Sequence, residues 1–139
     1  MTDVTVKRRV LITGAGGRIG GHLAESLKDR YDLRLLYNRT MPETPPVADW
    51  MRVNIADLDA LKPALEGIDA VVHMAGQPST LATWDEVHEQ NIIGTYNVLE
   101  AARQAGTRKV VFASTNHVMG MYDREIGRAS CRERVLTDV

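Results

Sequence analysis

The chain has 139 residues, 44% of them hydrophobic and 25% charged, and a formal net charge of −1. That composition gives one globular domain with a real core rather than a disordered chain, and the near-zero charge gives no electrostatic reason to expect nucleic acid or an anionic membrane as partner. No apolar run is long enough to span a bilayer, Met1 to Arg9 carries no apolar signal core, and the single cysteine, Cys131, excludes a disulfide framework and a cysteine zinc site, so a cytoplasmic protein is expected.

In chain order, Val10, Leu11 and Ile12 predict a buried strand. Gly14, Gly17 and Gly20 follow at regular spacing, and Ile19, Leu23 and Leu27 then form the stripe of a helix. A diphosphate needs backbone N–H groups at close range and the positive end of a helix. A Cβ on the turn would hold it away, and the third glycine lets helix and strand pack closely. Leu33 to Tyr37 reads as a second strand and Asn38 to Pro46 as a polar, proline-bearing loop. Met51 to Asn54 gives a short third strand. Asp57 can cap a helix carrying Leu58, Leu61 and Leu65, with Gly67 at its stop; Pro63 inside it removes one backbone hydrogen bond.

Ala70 to Met74 is a fourth strand. Thr83 to Glu86 forms a capping-box pattern that opens a longer helix, Trp84 to Ala105. Its apolar positions are Ile92, Tyr96, Leu99 and Ala102, and Gly106 ends it. Lys109 to Ala113 is a fifth strand. This alternation predicts an α/β fold, a doubly wound parallel sheet of order 3-2-1-4-5, with ligand at the carboxyl ends of strands one and four. His22 and His88 read as helix surface, His73 as a structural residue at a strand end, and Trp50 and Trp84 as packing residues.

Four motifs then carry a family likeness: T-G-A-G-G-R-I-G at Thr13 to Gly20, V-V-H-M-A-G at Val71 to Gly76, N-I-I-G-T-Y-N-V-L-E-A-A at Asn91 to Ala102, and F-A-S-T-N-H-V-M-G at Phe112 to Gly120. The chain resembles the extended short-chain dehydrogenase/reductases of the NAD-dependent epimerase/dehydratase group, uronate dehydrogenases in particular. The resemblance implies a Rossmann-type fold and assigns roles. Gly14, Gly17 and Gly20 would line the pyrophosphate, with Arg18 and Ile19 at the helix start. Asn54, where relatives usually carry Asp, and Ile55 would sit by the adenine, and Ala75 and Gly76 would approach the cofactor through backbone atoms. Thr115 would hydrogen-bond the reacting oxygen. Asn116, His117 and Ser79 would touch a sugar-like substrate. The parent protein would be an NAD(P)-dependent sugar or sugar-acid oxidoreductase and a homodimer. The alternatives are a nucleotide-sugar epimerase or dehydratase, and a non-catalytic NAD(P)-binding protein.

A ribose-binding acid is expected at the end of the second strand. Tyr37, Asn38 and Arg39 stand there instead, which leaves NAD and NADP both open. The family's Tyr-x-x-x-Lys pair is absent: Leu35, Met41, Glu100 and Ile126 follow the four tyrosines at that spacing. Glu125 to Val135 carries no family motif and reads like an in-frame sequencing-library adapter. The expectation is therefore an incomplete cofactor-binding domain over 1–124, truncated after the fifth strand, and a non-native tail over 125–139. Such a fragment would leave the fifth strand as an open sheet edge and self-associate.

Overall fold

Strand-forming residues with alternating orientation build a five-stranded sheet in the computed structural model, which describes residues 7–115. The strands are β1 (Arg9–Thr13), β2 (Asp32–Tyr37), β3 (Trp50–Arg52), β4 (Ala70–His73) and β5 (Lys109–Phe112). All pairings are parallel and the order is β3-β2-β1-β4-β5, as the strand–helix alternation predicts. Val10 lies opposite Leu33 on one side and Ala70 on the other, and that register brings the carboxyl ends of β1, β2 and β4 together.

Side chains of a strand point alternately to its two faces, and both faces are covered. Val10, Ile12, Leu33, Leu35 and Tyr37 pack with Ala24 of α1 (Arg18–Leu27). Leu11, Leu36 and Val71 pack on the opposite face against Leu61 and Leu65 of α2 (Leu58–Leu65) and Val98 and Ala101 of α4 (Gly94–Gln104).

α2 is the helix that the Asp57 cap and the Leu58, Leu61 and Leu65 spacing predict, and it runs through Pro63. The proline lies near the helix end and removes one internal bond. The last carbonyls of the helix, which have no partner within it, are taken up from outside: Arg34 Nη1 donates to Ala64 O at 3.0 Å and to Pro63 O at 3.4 Å. The same arginine and Arg9 both bind Asp49, at 3.1 and 2.6 Å. Burial pushes the Asp49 carboxyl up, but the two guanidinium groups outweigh it and hold the pKa below the usual range.

Several expectations need correction. The helix predicted over Trp84 to Ala105 is three segments: α3 (Trp84–Val87), a π-helical stretch (His88–Ile93) and α4. Its stripe of Ile92, Tyr96 and Leu99 is exposed, and the buried face is Gly94, Asn97, Val98, Ala101 and Ala102. Small residues let α4 lie close to its neighbours, and Asn97 is stabilised in the interior by donating to Ile55 O at 3.1 Å and Ala56 O at 2.9 Å. Ile19 is likewise exposed at the first turn of α1, while Gly20 and Ala24 face the core. Trp50 and Trp84 are exposed as well; Trp50 meets the Tyr37 ring edge-on and Trp84 stacks on His88.

Candidate functional site

The glycine turn follows β1 directly. Gly14 has φ +67°, and a Cβ there would lie 2.7 Å from Ala75 N. Gly17 N donates to Gly14 O at 3.0 Å, and Gly17 then serves as the N-cap of α1 with no side chain to offer. The first N–H groups of any helix lack internal partners. Asp57 and Thr83 side chains cap α2 and α3, whereas α1 has no side-chain cap and no acid in its first turn. Arg18 and Ile19 are both exposed at that open end. The donors and the positive end of the helix are thus free for an anion, and this is the fit a dinucleotide diphosphate requires.

The second wall is the loop after β4, and Thr13 ties it to the turn. Thr13 Oγ1 accepts from Met74 N and Ala75 N, each at 3.1 Å, and lies 2.7 Å from His73 Nδ1. With both lone pairs occupied, its proton goes to Nδ1. His73 therefore carries its own proton on Nε2, which donates to Thr95 Oγ1 at 3.3 Å. Burial lowers the His73 pKa to about 4. His73 is a structural strand-end residue, as its sequence position suggests. A histidine favoured neutral in the fold withholds stability once the unfolded chain begins to bind the proton. Stability is complete above pH 6.5 and falls as pH drops toward 4. The expected loss by pH 4.5 is about 2–3 kcal/mol, read as a drop in urea midpoint that His73→Asn abolishes; an unchanged pH dependence in that variant would remove His73 as the cause.

Beyond Ala75, the Asn91 side chain holds the loop at Gln77 through both of that residue's backbone groups. Its Oδ1 accepts from Gln77 N at 2.6 Å and its Nδ2 donates to Gln77 O at 3.1 Å. Gly76 lies beneath it, where a Cβ would be 3.1 Å from Asn91 Oδ1. The Ser79 hydroxyl oxygen accepts from Leu81 N at 3.1 Å.

The third wall is the end of β3. Asn54 Oδ1 accepts from Ala56 N at 3.1 Å and Gln90 Nε2 at 3.2 Å, its Nδ2 donates to Glu89 Oε1 at 3.3 Å, and Asn38 Nδ2 lies 3.5 Å away. The Ile55 side chain points into the core, so only its backbone borders the cleft. Arg39 is exposed in the loop after β2.

Gly14, Gly17, Arg18, Ile19 and Gly20 thus share one turn, with Ala75 and Gly76 on one side and Asn38 and Asn54 on the other. Thr115 follows the end of β5, where Ala113 N still donates to His73 O at 3.1 Å. Asn116, His117, Cys131 and the whole segment 125–139 lie outside the described residues. Sequence reading missed Thr13, whose signal is a hydroxyl residue closing a buried strand just before the turn. It also missed Gly16 and the paired amides Gln90 and Asn91.

Comparison with known proteins agrees with this geometry. The model of the NAD dependent epimerase/dehydratase family matches residues 10–135, a range that overlaps the segment from Glu125 on. The NAD-dependent glucose-6-phosphate dehydrogenase of Haloferax volcanii is 40% identical over 119 residues, covering 82% of this chain and 45% of that protein. The L-arabinose 1-dehydrogenase (NAD(P)(+)) of the same organism is 44% identical over 115 residues, 83% of this chain and 44% of the relative. Among solved structures, uronate dehydrogenase from Agrobacterium tumefaciens aligns with a TM-score of 0.71 at 35% identity, covering 79% of this chain and 41% of that one. The chain spans less than half the length of these relatives.

Proposed function

The chain belongs to the NAD-dependent epimerase/dehydratase family, and we propose that it is the cofactor-binding part of an NAD-dependent sugar or sugar-acid dehydrogenase. The observation that carries this is the uncapped amino end of α1 on the glycine turn, walled by the ends of β3 and β4. The dehydrogenase relatives support the sugar-type substrate. A nicotinamide held there would supply the acceptor for hydride from a hydroxyl-bearing carbon. Residues Gly14, Gly17, Arg18, Ile19 and Gly20 hold the diphosphate, Ala75 and Gly76 bound the cleft, and Asn38 and Asn54 border the adenosine. Thr115 orients the substrate oxygen, with Asn116, His117 and Ser79 on the sugar. The acid–base tyrosine and lysine belong to a part of the parent protein outside residues 1–124. Exposed Ile92, Tyr96 and Leu99 on one helical face support pairing of two copies. No helix among the described residues is long and apolar enough to cross a membrane, and we place the parent in the cytoplasm.

Two measurements test this. The 139-residue chain should bind NADH, seen as a change in nicotinamide fluorescence. The longer gene product should reduce NAD with free uronates or aldoses. Failure to bind NADH overturns the cofactor site. Binding without net reduction, together with inversion or dehydration of a nucleotide sugar, replaces the dehydrogenase by the epimerase/dehydratase reading.

A further inference from the structure

The loop after β2 and the helix after β4 are already joined once. Asn38, just past the end of β2, has its Nδ2 3.5 Å from Asn54 Oδ1, and Asn54 Nδ2 donates to Glu89 Oε1 at 3.3 Å. This row of polar side chains runs from the β2 loop, across the end of β3, to the π-helical stretch. Side chains three apart on a helix are neighbours, so Glu86 of α3 stands beside Glu89. Arg39 follows Asn38 in the chain. A second row, from Arg39 toward Glu86, therefore lies next to the first, with opposite charges at its two ends.

That second row is unmade. Thr83 N and Thr83 Oγ1 both donate to Glu86 Oε2, at 2.9 and 3.2 Å, and Glu86 Oε1 makes no hydrogen bond among the described residues. Hydrogen bonds from the Thr83 backbone and side chain hold the Glu86 carboxyl below the usual carboxylate range, and the positive charge of Arg39 adds to them. The guanidinium is thus within electrostatic reach, yet Arg39 makes no hydrogen bond or ion pair among the described residues. Its backbone is fixed on both sides. Arg52 Nε donates to Asn38 O at 3.0 Å. A Cβ on Gly16 would come within 2.0 Å of the Thr40 carbonyl oxygen, so the chain at Thr40 is seated against the glycine turn. The exposed Arg39 side chain is the part left to move.

We propose that Arg39 and Glu86 are a latch: with a dinucleotide seated, the guanidinium swings to Glu86 Oε1 and closes an ion pair from the loop after β2 to the first turn of α3. The inference rests on the cofactor reading above and adds a closing contact between two side chains of the chain itself. An ion pair in open water gains little, and one from which water is excluded gains more. A seated dinucleotide excludes that water, so the pair forms better with the ligand in place and holds it in return. The effect falls on the rate of release.

The test is stopped-flow release of NADH from the 139-residue chain into excess NAD, followed by nicotinamide fluorescence. Glu86→Gln keeps the side-chain acceptor of the capping box and removes only the charge. Expected is release about three- to fivefold faster in Arg39→Ala and in Glu86→Gln, with the double variant no faster than either. At about 1 M salt, where charges on the surface are screened, the unmutated chain should release NADH as fast as the variants. Release at the unmutated rate in Glu86→Gln, or effects that multiply in the double variant, overturn the latch and leave the cofactor site standing. Failure of the unmutated chain to bind NADH overturns both.

Discussion

Thr13→Val is expected to destabilise the fold by about 4 kcal/mol, although valine has almost the shape of threonine. The hydroxyl is the acceptor for Met74 N and Ala75 N and the donor to His73 Nδ1. Valine leaves two backbone donors and one buried ring nitrogen without partners. A group stranded in this way costs about 1–3 kcal/mol, and three are stranded at once. Thr13→Ser keeps the hydroxyl and loses one buried methyl, so about 1 kcal/mol is expected. Urea unfolding of the three proteins decides it. A valine variant within about 1 kcal/mol of the parent would mean that the loop finds other partners and that Thr13 does not tie the two walls together.

Gly20→Val should be more damaging, at about 4 kcal/mol or more, enough to leave little folded protein. A Cβ on Gly20 would lie 2.2 Å from Gly14 O, 2.9 Å from Gly14 C and 3.1 Å from Ala15 Cα. All three are backbone atoms, so no side chain can swing aside. Either α1 lifts off the sheet or the glycine turn opens. The comparison variant is Gly67→Ala. Gly67 has φ +69° and its nearest neighbour would be Arg9 Nη1 at 3.6 Å, so only backbone strain of about 1–2 kcal/mol is expected. Circular dichroism during thermal unfolding separates the two. Equal losses would show that turn strain, not the contact between helix and turn, sets the demand for glycine at Gly20.

How much of this was legible depended on which kind of signal a residue carries. Val10 to Ile12, Leu33 to Tyr37 and Ala70 to His73 announce themselves because strands buried on both faces are continuously apolar. Their spacing with helices then allows few sheet orders. The capping box at Thr83 and the Asp57 cap are local chemistry and were readable for that reason. Periodicity failed at α4 because Asn97 is buried. Its amide is satisfied by two carbonyls some forty residues earlier in the chain, and hydropathy has no term for a distant partner. The close approach of α4 also uses Gly94 and Ala101, whose small size carries little hydrophobic signal. The π-helical stretch was invisible because nothing in H-E-Q-N-I-I forbids an ordinary helix. At the site, glycine spacing named Gly14, Gly17 and Gly20, but Gly16 matters only through Thr40, a contact that exists once the loop has folded back.

The π-helical stretch also divides the molecule into lengths that can vary and lengths that cannot. Gln90 reaches Asn54 on one wall of the cleft, and its neighbour Asn91 grips Gln77 on the other. Thr95 and Asn97, further along, are fixed on His73 and on the Ile55 and Ala56 carbonyls. Each residue of an α-helix turns the chain by about 100°. Deleting or inserting one residue within His88–Ile93 would rotate one pair of grips away while the other stayed in place, and the spacing of the walls would be lost. The loop from Asn38 to Ala48 has no such double anchorage and can absorb a changed length beyond its contact at Gly16. Variation in chain length among related proteins should therefore collect in that loop and avoid the helical stretch, even though both lie on the surface.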